Sequence, residues 1–160
     1  MKSRRKSIGR EEALSKAMRY CAFQERSASD VRRKLSEWGL CGNEDVWWVT
    51  EHLKKERFID DQRYATIFAK SKLQQNRWGK RKIEYALKKK EIPDAHIRNA
   101  LDMLNDQDYE NALLALAREK AKETGLIPYE QKAKLIRFLL QRGFEIQLIE
   151  TVIHKIKSEL

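Results

Sequence analysis

Apolar residues recur at i, i+3, i+4 and i+7 along almost the whole chain, and strict alternation is absent. A repeat near 3.6 residues puts one apolar stripe on each helix, whereas alternation would mark strands. The pattern predicts helices over 11–24, 28–38, 44–56, 61–76, 80–90, 94–104, 107–124, 129–142 and 146–158. Local punctuation agrees with these limits. Ser27-Ala28-Ser29-Asp30 is a capping box ahead of Val31. Gly39 and Gly143 follow apolar stripes, where a left-handed residue closes a helix. Pro93 and Pro128 suit a first helical turn, which has no use for their missing N–H, and Gly79 opens the fifth helix.

The pattern also repeats on a longer scale. Val31, Leu35, Gly39 and Leu40 return 52 residues later as Ile83, Leu87, Glu91 and Ile92. After another 52 they return as Leu135, Leu139, Gly143 and Phe144. The helices that follow match as Val46, Val49, Leu53; Ile97, Ala100, Leu104; and Ile149, Val152, Ile156. Ala13 and Ala17 correspond to Ala65 and Ala69, and the third copy is expected to start near Ala112. The chain therefore divides into a basic tail over 1–9 and three-helix repeats over 10–57, 58–104 and 105–160. A single repeat is too small to bury much surface, so the copies must stack. The expected fold is all-α, three tandem three-helix repeats in an elongated, curved array.

Composition narrows the function. The 160 residues hold 34 Lys and Arg against 24 Asp and Glu, a net charge of +10. Six Gly and two Pro are too few for a turn-rich β protein. No apolar run is long enough to cross a membrane, and the basic start (Lys2, Arg4, Arg5, Lys6, Arg10) has no apolar stretch behind it, so a cytosolic protein is expected. Cys21 and Cys41 stand in neither CxxC nor zinc spacing, and His52, His96 and His154 form no metal motif. No phosphate-binding glycine loop or nucleophile elbow is present. The expectation is a protein without catalytic residues, cofactor or metal. Asp60-Asp61 reads as a helix cap with a first-turn carboxylate, fixing the junction of the first two copies with Arg63 and Arg26 as ion-pair partners.

Charge is distributed unevenly. Residues 61–104 carry 11 basic and five acidic residues, whereas 105–160 carry nine of each. Lys70, Lys72, Arg77, Lys80, Arg81, Lys82, Lys88 and Lys89 cluster in the middle copy. On a helical wheel Arg81, Tyr85 and Lys88 lie opposite Ile83 and Leu87, flanked by Lys82 and Lys89. Arg33 and Arg137 hold the corresponding outer positions of the other copies. Such a face is either plain solvated surface or a contact for phosphates and acidic protein. Trp38, Trp47, Trp48 and Trp78 are open between base stacking and helix packing. Helix-turn-helix reading of a DNA sequence is disfavoured. The third helices begin EDVWWV, DAHIRN and EIQLIE, acidic or apolar where base readers carry Arg, Asn and Gln.

Four segments, RSASDVRRKL (26–35), FIDDQRYA (58–65), GKRKIEYALKKKEI (79–92) and RFLLQRGF (137–144), resemble the RecX family of recombination regulators in the same order. The resemblance runs from about residue 13 to the end. It implies a tandem three-helix protein, a monomer, that binds the RecA filament and inhibits its ATPase, strand-exchange and coprotease activities, with weak non-specific affinity for DNA. Glu91 departs from the glycine common in the family at that place. The alternative is a non-specific DNA-binding protein without a RecA partner.

Overall fold

Each stretch of helical periodicity read from the sequence is a helix in the fold. The computed structural model describes residues 7–124 and 129–159. Among them run α1 (Arg10–Phe23), α2 (Ala28–Glu37), α3 (Asn43–Lys55), α4 (Asp61–Asn76), α5 (Lys80–Lys89), α6 (Asp94–Asp102), α7 (Asp106–Thr124), α8 (Tyr129–Gln141) and α9 (Ile146–Ser158). No strand occurs among the described residues. Lys2, Arg4, Arg5, Lys6 and Pro128 lie outside the described residues.

α4 and α9 keep the limits read from the sequence, and the other helices lie within one or two residues of theirs. Backbone chemistry closes several of the exits. Gly39 and Gly143 take φ of +94° and +95°, a left-handed geometry that cannot extend a helix. After them the N–H groups of Leu40 and Phe144 donate to the carbonyls of Leu35 and Leu139. That is the Schellman arrangement, which satisfies otherwise orphaned helix carbonyls. Glu91 stands where the other copies have glycine, and it adopts the same left-handed region at φ +56°. At the start of α2 the Ser27 hydroxyl accepts from the Asp30 N–H, and the Asp30 carboxylate accepts from the Ser27 N–H, both at 3.1 Å. Pro93 sits one residue before α6 rather than inside its first turn.

The chain forms two compact units, residues 1–64 with 90–93, and 65–89 with 94–160. In the first, α1 packs on α3. Ala13 and Ala17 are fully buried there, and their small side chains let the helices approach closely. Val31, Leu35, Leu40, Val49, Leu53 and Ile59 complete this core. In the second, α5 packs on α6, and α7 on α8 and α9. Ile83, Leu87, Leu135, Leu139, Phe144 and Ile149 are fully buried. The repeat anchors are thus core residues in all three copies: Val31, Ile83 and Leu135 show no exposed surface, nor do Leu35, Leu87 and Leu139.

Ala112, near which the third copy is expected to start, is half-buried. The fully buried positions of α7 are its neighbour Leu113 and, one turn on, Ala117. A longer α7 and connection lead to α8, where the 52-residue spacing holds.

Candidate protein and nucleic acid interface

The Asp60-Asp61 turn combines a local cap with a long-range one. Asp60 Oδ1 accepts from the Arg63 N–H at 3.0 Å, the N-cap role expected of it. Asp61 Oδ1 accepts from the Ala28 N–H at 3.0 Å and so ties α4 to the start of α2. The expected ion pairs of Arg63 and Arg26 with this turn do not form. Arg63 Nε pairs with Glu25 at 2.8 Å and its Nη1 donates to the Arg57 carbonyl. Arg26 lies over the Tyr20 ring, 3.9 Å from its centroid. Arg63 thus takes a carboxylate outside the turn, and Arg26 a ring face.

Two junctions, one in each unit, use positions related by the 52-residue offset, though the bonds that make them differ. In the first unit, Ser29 Oγ donates to the Lys90 carbonyl at 2.8 Å, and Lys90 Nζ donates to Asp30 Oδ1 at 2.6 Å. Arg32 reaches Glu91 at 3.1 Å. Burial alone would raise the Asp30 carboxyl, but the hydrogen bonds from Lys90 and Ser27 outweigh it and hold the group below its usual range. In the second unit the Gly79 N–H donates to the Arg142 carbonyl at 2.7 Å, and the Arg81 N–H to the Gly143 carbonyl at 3.1 Å. In both, the donors at one helix N-terminus satisfy carbonyls at the end of another helix. The sequence offset of 52 relates the positions, but the contact itself lies between residues some 60 apart and could not be read from periodicity.

A second polar node lies beside α5. Tyr109 is buried, its hydroxyl accepts from the Lys80 N–H at 2.9 Å, and it donates to Glu145 Oε2 at 2.8 Å. Burial pushes this phenol well above its ordinary range. The bond joins the start of α5 to α7 and to Glu145, the N-cap residue of α9.

With α5 anchored on both sides of its N-terminus, its outer surface is displayed rigidly. Arg81, Tyr85, Lys88 and Lys89 are exposed, Tyr85 by 62%. Lys89 Nζ lies 4.6 Å from the Tyr85 ring centroid, and Lys88 pairs with Glu84 at 3.1 Å. Lys72 and Lys82 are drawn elsewhere: both sit over the Trp78 ring, at 4.9 and 4.6 Å. Trp78 meets Phe68 edge-on. Lys80 is half-buried over the Tyr109 ring at 5.0 Å. Arg77 pairs with Glu119 at 2.7 Å and holds that carboxyl below its usual range. Lys70 is exposed on α4, Arg33 on α2 and Arg137 on α8. Arg33 also reaches Asp30 at 3.5 Å. The sequence-level cluster thus separates into a displayed set (Arg81, Tyr85, Lys88, Lys89) and an aromatic-bound set (Lys72, Lys80, Lys82).

The tryptophans divide as well. Trp38 packs edge-on against Tyr20, and Trp48 lies against His52 and under Arg10. Trp47 is 63% exposed. The first turns of α3 and α6 carry Glu44, Asp45 and Asp94, which repel phosphate at those helix ends. Cys21 and Cys41 are free thiols, and burial pushes Cys21 up to about 11. Among the described residues no group of His, Cys, Asp and Glu is placed to hold a metal ion. No helix among them is long and apolar enough to cross a membrane.

Comparison with known proteins places this arrangement. A family model for the second three-helix domain of RecX matches residues 60–101, and one for the third three-helix domain matches 106–153. A protein named regulatory protein RecX from Clostridium acetobutylicum is 32% identical, over 92% of this chain and 70% of its own length. The namesake from Acinetobacter baylyi is 33% identical, over 85% of this chain and 82% of its own. Against that from Lactobacillus johnsonii, 28% identical, the chain spans about half the relative's length, 54%. The crystal structure of RecX from Lactobacillus salivarius shares the fold, with a TM-score of 0.85 at 23% identity over 93% of this chain and 97% of that one.

Proposed function

The chain belongs to the RecX family, and from that premise we propose that it binds the RecA recombinase filament and inhibits its ATPase, strand-exchange and coprotease activities, so modulating DNA recombination and repair. The observation that carries the reading is the outer face of α5. Arg81, Tyr85, Lys88 and Lys89 project from a helix whose other side, through Ile83 and Leu87, is fully buried. A stiff cationic face suits a long, regular partner surface that offers acidic protein patches and phosphates. On this reading the protein is a monomer that works in the cytoplasm by contact, without chemistry of its own. Lys70 and Arg137 are further exposed cations of the same unit, and Arg33 is one of the other unit. Affinity for DNA alone is weak, indifferent to sequence and steeply salt-dependent, because counterion release drives it.

The test is RecA ATPase on single-stranded DNA, with and without the protein, at two salt concentrations. Inhibition at ratios well below one per RecA protomer supports filament regulation. Inhibition that starts only when the protein saturates the DNA supports the alternative, a DNA binder that competes for the strand.

A further inference from the structure

The three repeats supply an internal control for what the fold requires at each position. On the third helix of each copy, the residue after Val46, Ile97 and Ile149 is Trp47, Arg98 and Glu150. All three are exposed. Two copies carry a charge there, as a water-facing helix position should. The first copy carries an indole, with 63% of its surface in water. Packing does not demand that tryptophan, since the fold accepts Arg and Glu at the same place.

Trp47 is also part of a shaped surface. A groove of about 540 Å³ on α3 is lined by Trp47, Trp48, Glu51, His52, Lys54 and Lys55. Its floor is held firmly. The Trp48 ring lies 4.1 Å from that of His52 and 4.5 Å from the Arg10 guanidinium, and the Trp48 carbonyl accepts from His52 Nδ1 at 2.8 Å. A rigid aromatic floor limits the entropy lost when something docks.

The charges around the groove decide what docks. Glu44 and Asp45 lie in the first turn of α3, and His52, Lys54 and Lys55 in the last. Glu51 is engaged by Lys54 at 3.4 Å. A nucleic acid strand needs a continuous cationic track for its phosphates, and the acidic first turn interrupts one. A large aromatic ringed by charges of both signs, with the cations gathered at one end, is the anatomy of a protein hot spot. We propose that this face of α3 docks an acidic segment of a partner protein, an apolar anchor of that segment lying on Trp47 and its carboxylates meeting Lys54 and Lys55. The site lies on a different helix from the α5 face and does not depend on the recombinase reading.

The experiment is a selection of short random displayed peptides on the whole chain, depleted against Trp47→Arg. That variant installs the residue type found at Arg98, so its melting temperature should equal the wild type's. Peptides that survive depletion should share a net negative charge and an aromatic or aliphatic anchor. The most enriched one, labelled with a fluorophore, should bind wild type at least tenfold more tightly than Trp47→Arg, and Lys54→Glu/Lys55→Glu should weaken it as much. Survivors that are basic, or equal binding to wild type and Trp47→Arg, would overturn the proposal. So would an oligothymidylate whose affinity falls tenfold in Trp47→Arg, which assigns the face to nucleic acid. A concentration-dependent dimer abolished by Trp47→Arg would assign it to a second copy. Retained peptide binding by a variant with Arg81, Lys88 and Lys89 changed to Glu separates this result from the α5 face.

Discussion

Gly79 and Gly143 meet backbone to backbone, so closely that a Cβ added to Gly79 would stand 2.2 Å from the Gly143 carbonyl carbon and 2.4 Å from the Phe144 nitrogen. The approach lets the Gly79 N–H reach the Arg142 carbonyl and seats the end of α8 against the start of α5. Neither glycine announces this in sequence. Gly143 reads as a helix exit, Gly79 as a helix entry, and only packing joins the two roles.

Gly79→Ala should therefore destabilise the chain. No flexible side chain can yield, because the obstructing atoms are backbone. Overpacking costs about 1–3 kcal/mol and sometimes more, and loss of the hydrogen bond adds to it. A thermal melt followed by circular dichroism checks this. An unchanged midpoint would mean that the end of α8 does not seat on the start of α5.

Glu91→Gly should act in the opposite direction. Glu91 holds φ at +56°, which a residue with a Cβ adopts at a cost and glycine does not. The lost pair with Arg32 is exposed on both sides, 44% and 68%, so it contributes little. A gain of about 1 kcal/mol raises the midpoint by roughly 2–4 °C in a chain of this size. Scanning calorimetry of the two proteins decides it.

Lys90→Met should weaken the first unit in a pH-dependent way. The Asp30 carboxyl titrates below its unfolded value in the fold. Its stabilising contribution is complete above the unfolded value and disappears as pH falls through the folded one. Removal of Lys90 leaves the buried carboxylate with only the more exposed Arg33 as a cation, at 3.5 Å, at a cost of about 1–3 kcal/mol, less than for a fully buried pair. Lys90 itself keeps 33% of its side chain exposed. Melts from neutral pH downward should show the gap between wild type and variant widest at neutral pH. It should close once Asp30 is protonated in both.

Changing Arg81, Lys88 and Lys89 together to Glu should abolish inhibition of RecA while helicity and melting stay intact. All three are exposed and none supports the core. Single changes to Ala should do much less, since exposed charges each contribute little and the contact is distributed. Lower salt should widen the contrast. A triple variant that inhibits at wild-type ratios would reduce these residues to solubilising surface and move the contact to Arg33 or Arg137.

The helices, their caps and the repeat were legible in the chain because each depends on neighbours within a few residues. Apolar spacing set the buried faces of Val31, Ile83 and Leu135, and Ser27 with Asp30 closed a box across three positions. Near the expected start of the third copy Ala112 and Leu113 are both apolar, and only the packing of α8 and α9 against α7 decides that Leu113 is the one fully buried. The displayed face of α5 was likewise implicit in its period. What the sequence could not determine is which partner each long polar side chain chooses. Lys82 lies over Trp78, Lys90 reaches Asp30, and Arg63 takes Glu25 rather than the adjacent aspartates. Periodicity fixes the side of a helix to within a turn, but a lysine or arginine spans several ångströms and selects among donors and rings brought close by other helices. Close approaches such as Gly79 on Gly143 belong to the same class: they join residues distant in the chain, and the tertiary structure alone brings them within bonding distance.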